Sequence, residues 1–287
     1  MADESAPLVL AADARIDLQL HTVHSDGRWT PEALVAHLAA EQFQLAAITD
    51  HDQLATVAEV QALGSAAGVP LLAAVEMSSS WNGELTDVLC YGFDPAATPL
   101  AGLAEALRSG QQANLLATAA ELERQGYAFP RRTEVLADSG GVPRQPQDLA
   151  ELLRAHGHAR PGERVGPLLE QAGFVWMTTD LAAIVAAAHA SGAVCLLAHP
   201  GRADGFTTFD PDLLDELRRT IPIDGLEVEY PLHTPAQRAQ FRAYAERHGL
   251  LMGAGSDSHG PDGQLPIPYP AAACRSLLER LGIRVLD

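Results

Sequence analysis

Acidic and imidazole side chains recur at the points where short apolar runs of this sequence end. Asp17–Asp26 (DLQLHTVHSD) closes one run, Thr49–Asp52 (TDHD) closes the next, and later endings carry Glu76, His199 and Asp257–His259. Neutral imidazoles and carboxylates are the side chains with which proteins bind divalent transition metals. The pattern therefore predicts a metal centre assembled from several segments of the chain.

The candidate ligands lie beside the end of a predicted strand, except Asp87, which is expected inside one. They are His21, Asp26, His51, Glu76, Asp87, His199, Asp257 and His259. One ion takes fewer ligands than this from a protein, so two or three divalent ions that share a bridging carboxylate are the simplest interpretation. Each residue has a structural alternative, because such a histidine can be a hydrogen-bonded structural residue and such an aspartate can cap a helix. Glu227 and Glu229, in DGLEVEY, either orient ligands or are plain alternating strand residues.

The elements that position these residues alternate between strand and helix. The runs Ile16–His21 and Leu45–Thr49 suit strands, and between them Thr30 and Pro31 provide an N-cap and a proline at the first helical position. With about seven strands in this order, we expect an α/β fold with a parallel sheet closed as a TIM-like barrel, in which functional groups collect at the C-terminal ends of strands. An open doubly wound sheet is the alternative, although no glycine-rich dinucleotide loop supports it.

The alternation stops in the middle of the chain. Between residues 95 and 175 the pattern predicts a long helix, Leu100–Gln125, with shorter helical pieces and no strand. We expect residues 1–94 and 176–287 to form one discontinuous barrel domain. Residues 95–175 are expected to form a helical insertion that covers its active-site face.

Charge and composition narrow the classes of partner. The 287-residue chain has a formal net charge of −18, and all 19 of its basic residues are arginine. A nucleic-acid duplex is disfavoured as a partner, because proteins that bind the phosphate backbone normally present a basic face. The absence of lysine excludes a P-loop lysine and Schiff-base catalysis.

The sequence also predicts a cytoplasmic protein that does not cross a membrane. No apolar run approaches the roughly 18 residues that a membrane-spanning helix needs. Cys90, Cys195 and Cys274 are odd in number and lie in apolar contexts, which is typical of buried free thiols in a reducing compartment. The oligomeric state is not predicted.

Several of these motifs together resemble one family. In order and spacing, DLQLHTVHSDG, ITDHD, AVEMS, LLAHPGR, GLEVEYPLHT and GAGSDSHG resemble the motifs of the PHP (polymerase and histidinol phosphatase) superfamily. The likeness is greatest to its stand-alone metal-dependent phosphoesterases. It covers residues 16–94 and 176–265 strongly and the predicted insertion more weakly.

The resemblance implies a distorted TIM-like (β/α)7 barrel with a bi- or trinuclear centre of manganese, iron or zinc. By the same resemblance, Asp26, His51 and His259 hold one ion, and Glu76, Asp87 and His199 hold a second. His21, Glu76 and Asp257 hold a third, so that Glu76 is the bridging carboxylate. The attacking water is expected at the metals, near Glu76, His199 and Asp257.

Two residues depart from the family pattern. Gln19 stands where the family has the first histidine of a His-x-His pair, and Asp87 stands where it has a histidine. An aspartate at position 87 favours harder ions such as manganese. An amide is a weak, uncharged ligand, so Gln19 makes the third ion the one expected to be loosely held or lost.

These observations predict a hydrolase of phosphate monoesters that acts on a nucleotide or another small phosphorylated metabolite. Arg202, just after the AHP strand end, is a candidate for gripping the phosphate, as are Arg108 and Arg144 from the predicted insertion.

The sequence leaves two alternatives to a phosphate monoester hydrolase. Gln19 is compatible with a metal- or ligand-binding module whose catalysis has weakened. An amidohydrolase-type enzyme that cleaves a carbon–nitrogen bond is the other alternative, although such enzymes often use a bridging carboxylated lysine and this chain has no lysine.

Overall fold

The computed structural model describes residues 7–95 and 98–287 of the chain. Contacts divide the chain into a larger unit, Met1–Glu105 with Thr178–Asp287, and a smaller unit, Ala106–Met177. Among the described residues, no helix combines the length and the apolar character needed to cross a membrane.

The chain alternates between short strands and helices. The strands are β1 (Val9–Leu10), β2 (Arg15–Leu20), β3 (Leu45–Ile48), β4 (Ala74–Met77), β5 (Ser79–Trp81), β6 (Glu84–Leu85), β7 (Val88–Tyr91), β8 (Thr179–Asp180), β9 (Val194–Leu197), β10 (Gly225–Glu229), β11 (Leu251–Ala254), β12 (Tyr269–Pro270) and β13 (Arg284–Val285). The helices are α1 (Pro31–Ala40), α2 (Val57–Ala67), α3 (Thr98–Arg124), α4 (Arg132–Val135), α5 (Pro146–Ala155), α6 (Gly166–Gln171), α7 (Leu181–Ala190), α8 (Pro211–Arg218), α9 (Pro235–His248) and α10 (Arg275–Arg280), with 3-10 turns at Ala137–Ser139 and Ala271–Cys274. This is the mixed α/β fold that the sequence predicts.

Two sheets of the larger unit carry the strands that end at the candidate ligands. One sheet has five strands in the order β11-β10-β9-β7-β4, and the other has three in the order β12-β2-β3. Strands β9, β10 and β11 run parallel, as do β2 and β3. β7, however, runs antiparallel to both β4 and β9, and β12 runs antiparallel to β2.

The expected all-parallel sheet is therefore wrong at β7. The chain between β4 and β7 forms the antiparallel pair β5 and β6 instead of a helix. A parallel return needs a crossover connection, usually a helix, whereas a hairpin-like excursion brings the chain back in the opposite direction. As a result, β7 begins at the edge of the sheet where its neighbours carry their ligands.

Alternate strand residues build the core of the larger unit. Leu18, Leu45, Leu89 and Leu196 belong to one cluster of buried side chains. Successive strand residues point to opposite faces. Cys90, next to Leu89, and Cys195, next to Leu196, therefore face away from this cluster.

Helix caps fix the start of two helices beside the site. Thr30 Oγ1 accepts a hydrogen bond from the Ala33 amide and Pro31 is the first helical residue, as the sequence predicts. Thr234 and Gln237 form a reciprocal capping box at the start of α9. These caps end the loops that follow β2 and β10 at defined residues.

The smaller unit is helical among its described residues and has a core of its own. Leu115, Ala119 and Leu122 of α3 pack with Leu149 and Leu153 of α5 in one buried cluster. Their spacing of three and four residues is that of one helix face.

Candidate metal centre

His21, Glu76 and Asp257 form the most buried part of the candidate centre. His21 follows β2, Glu76 lies in β4 and Asp257 follows β11. His21 Nε2 lies 3.1 Å from Glu76 Oε2 and 3.2 Å from Asp257 Oδ1, but neither ring nitrogen of this buried histidine has a hydrogen-bond partner. The three side chains offer ligand atoms within 4.8 Å of one another, and the imidazole among them has no hydrogen-bond partner, which suits a bound cation.

A second group joins His21 to Asp26, His51 and His259. His259 Nε2 lies 3.2 Å from Asp26 Oδ2, and the His21 ring stacks on the rings of His51 and His259 at 4.9 and 4.3 Å between centroids. His259 Nδ1 lies 2.8 Å from the Asp257 carbonyl oxygen. A proton held there leaves Nε2 as the free ligand atom.

A third group consists of His51, Glu76 and Asp87. His199 adjoins it, with Nε2 at 3.1 Å from Glu76 Oε1 and 4.0 Å from Asp87 Oδ2. Asp87 reaches this group because it immediately precedes the antiparallel strand β7. Glu76 is common to this group and to the one with His21 and Asp257, as a bridging carboxylate would be.

The donor set fits divalent cations. The described residues bring together four carboxylates and four imidazoles, and the buried atoms without a partner include His51 Nδ1 and Gln19 Oε1 besides the His21 nitrogens. Orphaned buried polar atoms are costly in a folded protein unless something binds them. Cations held by these ligands would offset that cost.

The surroundings shift the pKa values of the acids in the centre in opposite directions. Burial alone would raise the pKa of Glu76, but His51, His199 and His21 hold it well below its usual value. Burial and the neighbouring Glu76 raise the pKa of Asp87 to about 7. Against burial, the carboxylates of Glu76 and Asp26 raise the pKa of His51 to about 9. Without a cation, therefore, His51 holds a proton that a cation would replace.

Two candidate ligands have backbone conformations that non-glycine residues rarely adopt. His199 has a φ of 28° and Asp257 a φ of 54°, and such conformations cluster at functional sites. The His199 amide donates to Glu227 Oε2 at 2.8 Å, and the Asp257 amide donates to the Gln19 carbonyl at 3.0 Å. These bonds hold the strained residues in place.

Gln19 is fully buried beside the centre. Its Nε2 donates to Glu76 Oε2 at 2.9 Å, while its Oε1 has no partner. Its amide therefore contacts the shared carboxylate directly.

Positioning groups that sequence reasoning missed surround the ligands. Asp50 accepts hydrogen bonds from the Thr22 amide, the Thr22 hydroxyl and the Ser25 hydroxyl, and so fixes the loop between His21 and Asp26. Asp17 accepts hydrogen bonds from three backbone amides, those of Gln19, Ser256 and Ile267. Asp17 could have been noticed as an acid inside an apolar strand, and Asp50 as a further acid of the TDHD motif after β3.

The loop after β9 contains Arg202. Its guanidinium donates to both carboxylate oxygens of Asp204, at 2.5 and 3.0 Å, and stacks over the Phe206 ring. His233 supports this loop, since its Nε2 accepts a hydrogen bond from the Gly201 amide and its Nδ1 lies 3.0 Å from the Val228 carbonyl. Any side chain at position 201 would collide with His233 and Gln237.

The other two arginine candidates, Arg108 and Arg144, belong to the smaller unit. Their contact with substrate stays a prediction.

Similar proteins are found among curated sequences. The chain is 31% identical over 297 residues to a 3′,5′-nucleoside bisphosphate phosphatase of Chromobacterium violaceum, covering 95% of this chain and 98% of the relative. It is also 31% identical over 257 residues to the 5′-3′ exoribonuclease Rnm of Escherichia coli, covering 85% of each. No family model matches the sequence.

Two solved structures share the fold. An amidohydrolase from Chromobacterium violaceum with bound sulfate and no metal matches with a TM-score of 0.74 and 27% identity, covering 93% of this chain and 96% of the other. A putative metal-dependent phosphoesterase of Bifidobacterium adolescentis matches with a TM-score of 0.73 and 26% identity, covering 96% and 97%.

Proposed function

This chain belongs to the PHP family of metal-dependent phosphoesterases, and from that premise we propose that it hydrolyses the phosphate monoester of a small metabolite such as a nucleotide. The observation that carries the proposal is Glu76, a buried carboxylate shared by two ligand groups whose imidazole nitrogens include unpartnered atoms. A shared carboxylate between adjacent cations is the arrangement of hydrolytic sites with more than one metal.

Two cations are proposed as the minimum. Asp26, His51 and His259, with His21, would hold one, and Glu76 would join it to a second ion beside Asp87 and His199. A third, between His21, Glu76 and Asp257, is proposed to be weak because Gln19 supplies an amide where the family has a histidine. Manganese is favoured over zinc or iron, since Asp87 adds a hard oxygen ligand.

Bound cations would polarise the phosphoryl group and lower the pKa of the attacking water. The chain's own groups orient the reactants. Tyr230 donates from its hydroxyl to Asp257 Oδ2 at 3.2 Å, which fixes one face of that ligand. The Arg202 guanidinium is a planar fork of donors that can bind two oxygens of a phosphate. In the structure it binds the two carboxylate oxygens of Asp204 in the same two-pronged way.

We propose that the two main sheets close into the distorted (β/α)7 barrel expected from the family. Backbone hydrogen bonds between the sheets support this closure. The Glu76 amide donates to the Thr49 carbonyl at 3.1 Å, and the His21 amide donates to the Ser258 carbonyl at 2.9 Å. The first joins the end of β3 to β4, and the second joins β2 to the end of β11.

The relatives act on different substrate classes, so the substrate class of this chain has to be determined by experiment. A nucleoside bisphosphate phosphatase supports a small substrate, and the acidic chain, with its net charge of −18, disfavours a long nucleic acid. The exoribonuclease relative, at 31% identity, makes the end of a short RNA the second candidate. The proposed location is the cytoplasm, consistent with three buried free cysteines.

The test is phosphate release by the purified full chain with manganese. Nucleoside bisphosphates, mononucleotides and sugar phosphates are assayed for phosphate release. A short 5′-phosphorylated RNA is assayed also for nucleotide release, and one amide substrate for cleavage of its amide bond. His51→Ala and Glu76→Ala should abolish release, whereas His248→Ala and Glu246→Ala on α9 serve as matched controls and should leave it unchanged. No phosphate release from any substrate, or active His51 and Glu76 variants, would overturn the proposal, and cleavage of the amide alone would favour the amidohydrolase alternative.

A further inference from the structure

A second cluster of metal-ligand side chains lies at the opposite ends of the strands that carry the centre. It consists of His189 at the end of α7, Cys195 in β9 and Asp224 just before β10, each offering one ligand atom within 4.8 Å of the others. Cys195 precedes His199 by four residues along the chain, which in an extended strand is about 13 Å. The cluster is therefore separate from the proposed hydrolytic centre.

A second thiol, that of Cys90, adjoins the cluster at Cys195. Cys90 lies directly opposite Cys195 in the antiparallel pair of β7 and β9, and the two sulfur atoms are 3.9 Å apart. Both cysteines are fully buried. The two sulfur atoms are thus in contact, and the thiol that belongs to the ligand cluster is Cys195.

The imidazole and the carboxylate lie on the solvent side of the cluster. The side chains of His189 and Asp224 are 34% and 26% exposed, and His189 Nε2 lies 2.8 Å from Asp224 Oδ2. The Cys195 amide donates to the same oxygen at 2.7 Å, which fixes the carboxylate beside the thiol. A cation can therefore reach the cluster from solvent while its sulfur ligand stays buried.

We propose that His189, Cys195 and Asp224 bind a borderline-soft divalent cation of the zinc class, with the Cys90 thiol adjoining Cys195. The site is structural, because it joins α7 to β9 and β10. It is independent of the proposed hydrolysis. Its sulfur ligand distinguishes it from the hydrolytic centre, whose ligands are nitrogen and oxygen atoms, and favours zinc over manganese or magnesium.

Cation binding at Cys195 should release the thiol proton. Contact with Cys90 and burial raise the pKa of the Cys195 thiol well above its usual value, so the thiol is neutral without a cation. Formation of the metal–sulfur bond releases this proton to solvent.

Cobalt(II) reports on the cluster without reference to activity. The full chain, stripped with a chelator and kept reduced, is titrated with cobalt while near-ultraviolet absorption is recorded. A thiolate-to-cobalt charge-transfer band is expected in the parent, and zinc should remove it by displacement. The hydrolytic centre has no sulfur ligand, so it cannot produce this band.

Variants assign the band to the cluster. Cys195→Ser should abolish it, whereas Cys274→Ser, which alters the third buried cysteine, should retain it. His189→Ala changes a partly exposed residue and should weaken cobalt binding at least about tenfold, which keeps the test informative if Cys195→Ser fails to fold. Absence of a thiolate band in the parent at saturating cobalt, or a band unaffected by His189→Ala, would overturn the proposal.

Discussion

Gln19 Nε2 donates a hydrogen bond to Glu76 Oε2 over 2.9 Å, inside a cluster where both side chains are buried. The shared carboxylate thus receives a hydrogen bond on the oxygen that also lies 3.1 Å from His21 Nε2. An amide that donates to this oxygen occupies a position from which a histidine could bind a cation. Residue 19 is therefore the position at which we expect the metal content of this chain to differ from the family pattern.

Replacing Gln19 with histidine should increase the amount of metal retained. An imidazole is a stronger ligand than an amide, and the neighbouring His21, Glu76 and Asp257 supply the other ligands of this ion. We expect Gln19→His to retain close to one additional ion per chain after dialysis, measured by elemental analysis. Gln240→His, on the exposed face of α9, is the matched control and should retain no more than the parent.

The same variant separates a working enzyme from a weakened one. A parent that already turns over well excludes the ligand-binding alternative. A parent with almost no phosphate release that gains a large rate on Gln19→His would support it. Equal metal content in the parent and in Gln19→His would contradict the role assigned to this residue.

The part of the centre that follows from strand ends could be predicted from the sequence. His21, His51 and His199 each end an apolar run, and the ends of neighbouring parallel strands must meet at one edge of a sheet. Asp87 could not be placed by this rule, because it joins the same edge from the start of a strand that runs the other way. Whether a strand runs parallel or antiparallel depends on the connection before it, and the pattern of apolar residues does not encode that.

Contacts between individual side chains were also beyond the sequence. From the sequence, Glu227 could be either an orienting residue or a plain strand residue. The structure shows that it accepts a hydrogen bond from the His199 amide. Similarly, nothing in GRADG indicates that Arg202 pairs with Asp204. Such contacts depend on rotamers and loop conformation, which residue types and spacing leave open.

Removing the Glu227 carboxyl should weaken metal binding without removing a ligand. Burial raises the pKa of Glu227 well above its usual value, which favours the uncharged form, and an amide matches that form in shape and in charge. Glu227→Ala leaves the amide of the strained residue His199 without an acceptor, and we expect the cation dissociation constant to rise about 10- to 100-fold. Glu227→Gln keeps an oxygen acceptor and should restore most of the affinity.

Competition with a chromophoric chelator measures these constants. Glu229→Ala, two residues further along β10, is the control, because its carboxylate pairs with Arg242. Thermal unfolding followed by circular dichroism verifies that each variant is folded. Equal weakening in Glu227→Ala and Glu227→Gln would argue against the hydrogen bond as the cause.

Asp204 should compete with substrate for Arg202. Its carboxylate occupies two guanidinium donors that a phosphate would use, but Asp204 is 60% exposed, so solvent limits the strength of the pair to about 1 kcal/mol or less. Asp204→Asn should therefore lower the KM for a phosphate ester by no more than about fivefold, with kcat unchanged. Arg202→Ala should raise KM, and Asp212→Asn on α8 is the matched control. A higher KM in Asp204→Asn would mean that the aspartate positions Arg202 for the phosphate and does not compete with it.

Metal affinity should depend on pH in two stages. The pKa of His51 is raised to about 9, chiefly by Glu76 and Asp26 acting against burial. Burial and Glu76 raise the pKa of Asp87 to about 7. A cation binds the deprotonated forms, so below pH 9 it must displace a proton from His51, and below pH 7 it must also displace one from Asp87. The dissociation constant should therefore rise as pH falls, and more steeply below about pH 7, by roughly a further tenfold per unit.

Asp87→Asn isolates the second stage. The amide cannot ionise, so the variant should bind the cation more weakly at high pH but lack the additional steepness below about pH 7. Chelator competition with manganese across this range measures both slopes, and Asp94→Asn, outside the centre, is the matched control. Because Asp87 approaches Glu76 only through the antiparallel start of β7, identical slopes in the parent and in Asp87→Asn would mean that its carboxylate is not a ligand. The second cation would then rest on Glu76 and His199 alone.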